Sequence, residues 1–328
     1  MAETELKLDP AAIFAADRLI ALPTETVYGL AAPIDRPDLV ARVFELKGRP
    51  ASNPLIVHVG SLDQARACVS RWPDIAQRLA ERFWPGPLTL VLPRSEAISE
   101  LISAGQPTVA LRMPDHPLAL AILRASPAPL VAPSANLFTR LSPTTAEDVR
   151  AVFSAADVEV IDGGPCRVGV ESTIIAIDEP ARQVRWLRPG LVSRMQIRAC
   201  LPPGWNLVEK QEASDPGAPP VVPGQFREHY RPALPLTVRC VAGQSELEAL
   251  RTELEARPGL ALVELPDDPV QAAQQLYRRL RQAEQGEATA LTLLIQSGWL
   301  ADPAWEAVIN RLRKAASDWQ PAACHALR

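Results

Sequence analysis

Two cations separated by a single glycine are the first residues in this chain with obvious chemical potential. Lys47 and Arg49 flank Gly48, and Pro50 follows directly. Only four lysines occur among 34 basic residues, so a lysine set in a constrained turn stands out. Arginine offers a planar fork to phosphate or carboxylate, and lysine a compact point charge. The plain structural alternative is a helix end, with both cations on the dipole and Gly48 as the C-cap. On the first reading both are ligand-facing loop cations on which little core packing depends. Asn53 follows within the same turn, and His58 falls in a strand run, where a satisfied core histidine is as good a reading as a ligand.

Other segments carry compatible groups. Pro23–Leu30 sets Thr24, Glu25 and Thr26 directly after a strand, where α/β proteins gather ligand contacts, although a Thr-rich turn closed by Gly29 would look the same. Ala132–Asn136 presents Ser134 and Asn136 after an apolar strand, suited to a phosphate or ribose or equally to an N-cap. Asp162-Gly163-Gly164-Pro165 precedes Glu171, Ser172 and Thr173, and Arg188 sits immobilised before Pro189-Gly190. Together these supply cations, hydroxyls and an amide, without a paired-carboxylate or Ser-His-Asp set. Such an inventory suits positioning and neutralising a polyanion better than covalent catalysis. It points to an anion-handling, nucleotide-handling α/β domain.

The elements that must position these groups follow from pattern. Strands are expected at Leu19–Leu22, Leu55–Val59, Leu88–Leu92, Val109–Arg112, Leu130–Ala132, Val158–Ile161 and Thr173–Ile177. Helices are expected at Pro37–Leu46, Asp74–Phe83, Pro117–Ala125 and Thr145–Phe153. Residues 1–200 thus read as one large α/β domain with a mixed twisted sheet. Residues 201–235 hold eight prolines and read as an extended linker, unable to sustain a helix or central strand. Residues 236–328 repeat strand and helix three times, which predicts a small Rossmann-like parallel α/β domain. No G-x-G-x-x-G follows its first strand, so a dinucleotide site there is unsupported.

Composition narrows the function. The net charge is −4 at pH 7, without the basic excess of a general nucleic-acid binder. Five scattered cysteines and four histidines form no disulfide frame and no transition-metal motif. No apolar run is long enough to cross a bilayer, and the N-terminus lacks a secretory pattern, so a cytoplasmic location is expected.

The ordered series P-T-E-T-V-Y-G-L, K-G-R-P-x-x-N-P-L, F-W-P-G-P-L-T, A-L-R-M-P, A-P-S-A-N, D-G-G-P-C, E-S-T-I and L-R-P-G resembles the YrdC-type threonylcarbamoyl-AMP synthase family. It covers roughly residues 10–198. The Pro-rich segment with His229-Tyr230, followed by a small α/β domain, is similar to that family's long two-domain branch. The resemblance implies condensation of L-threonine, bicarbonate and ATP into threonylcarbamoyl-AMP and pyrophosphate, the first step of N6-threonylcarbamoyladenosine formation in tRNA. It implies ATP contacts from Lys47, Arg49, Asn53, Ser134, Asn136, Arg188 and Tyr230, with Lys47 and Arg49 catalytic. Thr24, His58, Thr108, Arg112 and Ser172 match positions around the threonine and bicarbonate pocket. Mg2+ would arrive with ATP, and the product would pass to the tRNA threonylcarbamoyl-transferase machinery, with a weak tRNA contact compatible. The chain departs from the family at Phe138-Thr139-Arg140-Leu141, where Ser-Gly-x-Pro is usual, and at Gln225 and Arg231.

Two other readings compete: a non-catalytic double-stranded RNA or tRNA-binding module on the same scaffold, and a carbamoyl-transfer enzyme using carbamoyl phosphate. For the Pro-rich segment the expectation is a lid, with His229-Tyr230, near Arg227 and Arg231, reaching the site.

Overall fold

A computed structural model of the chain describes residues 9–209, 222–224 and 229–321. They form two compact units. The first comprises the described parts of Met1–Phe138, Pro143–Arg167 and Glu171–Phe226, and the second those of Thr139–Ser142, Val168–Val170 and Arg227–Arg328.

The first unit is built on a ten-stranded sheet. Its strands are β1 (Leu19–Leu22), β2 (Gly29–Pro33), β3 (Ile56–His58), β4 (Leu88–Pro93), β5 (Thr108–Arg112), β6 (Leu130–Val131), β7 (Val158–Val160), β8 (Thr173–Asp178), β9 (Gln183–Arg188) and β10 (Asn206–Glu209). Their order is β10-β9-β8-β4-β5-β3-β6-β2-β1-β7. Four pairs are parallel (β1 with β7, β3 with β5, β4 with β8, β9 with β10) and the other five antiparallel, so the sheet is mixed as expected.

Period-two alternation divides the central strands between two faces. Val57, Leu90, Leu92, Val109, Leu111, Ile175 and Ile177 enter the main core, together with buried residues of the helices Pro37–Lys47, Asp74–Phe83 and Pro117–Ala125. The intervening Ile56, Val91, Ala110, Ile174 and Ala176 form a second, smaller apolar cluster, on which Val222 of the Pro-rich segment packs. His58, Thr89, Arg112 and Ser172 share the parity of this second set. Arg188 joins them as the register partner of Ile174, across a bulge. One face of the sheet is therefore core, and the other carries the polar groups.

Three strands of this sheet lack an expectation from pattern. β2 reads Gly-Leu-Ala-Ala-Pro and is buried throughout, so it shows no alternation and ends in residues that normally interrupt strands. β9 follows β8 as an antiparallel hairpin partner. The linker reading is modified at β10, a proline-free stretch that pairs with β9 at the sheet edge. Residues 210–221 and 225–228 of the expected lid, Arg227 included, lie outside the described residues.

The second unit holds a four-stranded sheet of β11 (Leu236–Val241), β12 (Leu260–Val263), β13 (Ala290–Gln296) and β14 (Asp318–Gln320), ordered β12-β13-β11-β14 and entirely parallel. Its helix Pro269–Glu284 starts on an Asp268 cap with Pro269 in the first turn. That helix buries Ala272, Ala273, Leu276, Tyr277 and Leu280, one stripe at helical spacing. Each larger side chain so buried contributes about 1.5–3 kcal/mol relative to exposure. Among the described residues no helix is long and apolar enough to cross a membrane.

Candidate active site

The helix Pro37–Lys47 sets the first cation. Val40, Val43, Phe44 and Lys47 lie on its buried stripe, so Lys47 points inward where a hydrophobe would otherwise sit. Gly48 ends the helix at φ 61°, with its N–H on Glu45 O and the Arg49 N–H on Phe44 O at 2.9 Å. This paired closure needs a left-handed residue, which glycine adopts without steric cost. It turns Arg49 back across the loop that follows.

The sequence reading of these cations as loop residues free of packing is corrected here. Lys47 is 2% exposed and Arg49 7%. Lys47 Nζ donates to the main-chain oxygens of Ser134 and Asn136, the latter at 2.6 Å. Arg49 donates through Nε to Asn53 O at 3.2 Å and through a terminal nitrogen to Pro54 O at 2.7 Å. Burial first, and Arg49 second, lower the Lys47 pKa well below its ordinary value. Asn53 is fully buried, and neither its side-chain oxygen nor its nitrogen has a hydrogen-bond partner. A buried amide left in that state is costly unless something else supplies donors and acceptors.

The Ser134–Asn136 loop is held on its far side by the Pro23–Leu30 segment. Ala135 N donates to Tyr28 O at 2.8 Å, and Gly29 bridges to Ser134. A Cβ on Gly29 would stand 3.0 Å from Ala132 Cβ, so the close approach of these strands favours glycine. Ser134 Oγ hydrogen-bonds Asn136 Oδ1. The Tyr28 hydroxyl donates to Gly164 O at 2.8 Å and accepts from Gly163 N, fastening the Asp162–Pro165 turn to the same segment. Burial pushes this phenol up to about 12.

A second group of residues surrounds Arg112. His58 and Arg112 are register partners on β3 and β5. Arg112 donates to Thr26 Oγ1 at 2.8 Å and to Gly86 O at 3.3 Å, and a terminal nitrogen lies 2.7 Å from Glu25 Oε2. That last approach is close but poorly aligned for a hydrogen bond, so it is an ion pair of coulombic character. Thr24 Oγ1 donates to Val27 O and contacts Thr26 Oγ1 at 2.9 Å. Burial, then the Arg112 charge, lower the His58 pKa to about 3, and its Nδ1 has no hydrogen-bond partner. Further along the face, Arg188 donates to both Ser172 O and Ser172 Oγ, at 3.0 and 3.1 Å, and to Pro223 O at 3.3 Å. Ser172 Oγ also meets Thr89 Oγ1 at 2.7 Å.

The first unit therefore brings together Lys47, Arg49, Asn53, Ser134 and Asn136 in one group, Thr24, His58 and Arg112 in a second, and Ser172 with Arg188 in a third. Thr108 lies at the opposite end of β5 from Arg112, about 13 Å away at strand rise. Tyr230 lies in the second unit, fully buried, its ring 5.8 Å from Tyr277 and 4.1 Å from His229, with the Arg311 guanidinium over it. Sequence reasoning assigned no role to Glu25, Thr26 or Thr89. Glu25 and Thr26 share a turn with Thr24, and Thr89 ends the F-W-P-G-P-L-T segment, so position alone was the available signal.

An α/β enzyme domain with buried cations at a helix end and a polar sheet face is the class these observations define. A family model described as telomere recombination matches residues 12–190, and one described as threonylcarbamoyl-AMP synthase, C-terminal domain, matches residues 192–317. The threonylcarbamoyl-AMP synthase of Bacillus subtilis is 41% identical over 75% of this chain and 69% of its own length. That of Pyrococcus abyssi is 37% identical over 91% and 90%. A crystal structure of Pyrococcus abyssi Sua5 complexed with L-threonine superimposes with a TM-score of 0.82 at 32% identity, over 96% of this chain and 97% of that one. The chain belongs to the threonylcarbamoyl-AMP synthase family. Its activity is that of the family, formation of threonylcarbamoyl-AMP.

Proposed function

We propose that the first unit carries out this synthesis by binding ATP at the Lys47 group and L-threonine with bicarbonate at the Arg112 group. In this reading Lys47, Arg49, Asn53, Ser134, Asn136 and Arg188 contact the nucleotide, and Thr24, His58, Arg112 and Ser172 the amino acid and bicarbonate. Thr108, at the opposite end of β5 from Arg112, and Tyr230, in the second unit, are left out of these two sets. The threonine amine adds to bicarbonate carbon, water leaves, and a carbamate forms. A carbamate oxygen then attacks the α-phosphorus of ATP, and pyrophosphate departs. Negative charge gathers in that transition state, and fixed cations already withdrawn from water stabilise it without reorganising. Mg2+ arrives as the counter-ion of ATP, as part of the substrate.

The observation that carries this reading is the buried set in which Lys47 reaches across to Ser134 and Asn136 while the Asn53 amide stays unsatisfied. Arg188, reaching both Ser172 and Pro223, supports a covering role for the Pro-rich segment. The proposed organisation is therefore a catalytic domain over 1–200, a linker and lid over 201–235 and a small domain over 236–328. The same proposal includes a cytoplasmic location and delivery of product to tRNA-modifying enzymes. The test is incubation with ATP, L-threonine and labelled bicarbonate. Label in an adenylate product with matching pyrophosphate release is expected, and its absence from every nucleotide product would overturn the reading.

A further inference from the structure

Glu25 is an ionisable residue of the Arg112 group that the reaction above does not use. It is 1% exposed, and neither carboxylate oxygen accepts a hydrogen bond of good geometry. The hydroxyls on either side are committed elsewhere: Thr24 Oγ1 donates to Val27 O, and Thr26 Oγ1 is taken by Thr24 and Arg112. Arg112 supplies charge at 2.7 Å but no well-aimed N–H. An ionised carboxylate offers about four acceptor sites, and leaving them empty in a buried setting is costly. Glu25 also acts on Cys166, whose thiol is pushed up by burial first and by Glu25 second.

The charges around this carboxylate define its ligand. A guanidinium and a carboxylate stand 2.7 Å apart, with His58 as register partner of Arg112 beside them, so the group is strongly polarised. An anionic acid would satisfy Arg112 and be repelled by Glu25. A cationic amine would do the reverse. A zwitterion satisfies both.

We infer that Glu25 receives the α-ammonium of the amino-acid substrate while Arg112 receives its carboxylate, making Glu25 the residue that selects an α-amino acid over the corresponding amine-free acid. This inference rests on the proposed assignment of Arg112 to the threonine pocket. Charge-assisted hydrogen bonds are short and roughly twice as strong as neutral ones, so the selection should be visible in binding alone.

Calorimetric titration of the full-length protein, in the presence of a non-hydrolysable ATP analogue, tests it with L-threonine and with β-hydroxybutyrate. The latter keeps the carboxylate and β-hydroxyl but lacks the ammonium. Glu25→Gln should weaken L-threonine by roughly tenfold or more and leave β-hydroxybutyrate unchanged or more tightly bound, since the charge that repels it is gone. Equal weakening of both ligands would reduce Glu25 to a support for Arg112, and unchanged L-threonine affinity would remove it altogether. Arg112→Ala separates the two levels. It should weaken both ligands, and no effect on either would overturn the pocket assignment itself. If Glu25→Gln does not fold, the wild-type protein decides: equal affinity for the two ligands overturns the inference.

Discussion

The ammonium of Lys47 lies 2.6 Å from the main-chain oxygen of Asn136, a residue 89 positions further along the chain. This contact joins the helix carrying one signature segment to the loop carrying the other. Lys47→Ala should therefore do two things. Losing a charge contact in the transition state lowers kcat by about 10²-fold or more. Stranding buried carbonyls costs about 1–3 kcal/mol of stability. Turnover and thermal unfolding measured together check this, and an inactive variant with an unchanged melting temperature would mean that the contact is not structural.

Gly48→Ala isolates the turn from the cations. A Cβ at this position meets nothing within 4 Å, so any penalty comes from the backbone at φ 61°. Destabilisation of about 1–2 kcal/mol is expected, with a smaller loss for Gly48→Asn, since asparagine visits this region more readily. Activity should fall along with stability, because the turn aims Arg49. Chemical denaturation of the two variants ranks them.

Thr89→Val tests the polar face at Ser172. Arg188 donates to the Ser172 hydroxyl, which contacts Thr89 at 2.7 Å, so valine leaves one end of a buried chain unmatched. The expected outcome is a several-fold rise in KM for L-threonine, with kcat changed little. A fall in kcat at constant KM would assign Ser172 to the chemical step instead.

His58 gives a pH signature. Its pKa is about 3 in the folded protein against an ordinary 6.5. Between these values the unfolded chain binds a proton that the folded chain refuses, so stability is complete above about pH 6.5 and falls as pH drops toward 3. The slope reaches at most about 1.4 kcal/mol per pH unit. Replacing His58 with Gln should flatten the acid limb of a melting-temperature profile. An identical limb in the variant would show that His58 does not set it.

Much of this was legible in the sequence, for identifiable reasons. Short apolar runs rich in β-branched residues or leucine, such as β5 and β8, declare themselves even when buried on both faces, and so does the amphipathic helix Asp74–Phe83. Three of the four strands of the parallel second sheet followed from three strand–helix repeats, and the edge strand β14 did not. β2 did not declare itself, because its Gly29 and Pro33 resemble turn residues and its Ala31-Ala32 lack the β-branched character of a strand. Lys47 was legible as special through the rarity of lysine, yet not as buried, since nothing in a K-G-R-P turn reveals that position 47 continues the Val43–Phe44 stripe. Glu25 was legible as part of a ligand-contact loop but not as an individual site residue, because an acidic residue between two threonines also looks like a solvated turn. Only the approach of Arg112, 87 residues away in sequence, gives it meaning.

The alternation along β3 and β5 also constrains how the chain can vary. His58 and Arg112 face the polar side because each lies an even number of positions from Ile56 and Ala110. Inserting or deleting one residue within either strand would exchange the two sides, sending a guanidinium into the Leu111 layer and a leucine into the site. Length changes in pairs preserve parity, and so do changes confined to the flanking loops. These two strands therefore behave as a counted frame, in which the number of residues is under stricter control than the identity of most of them.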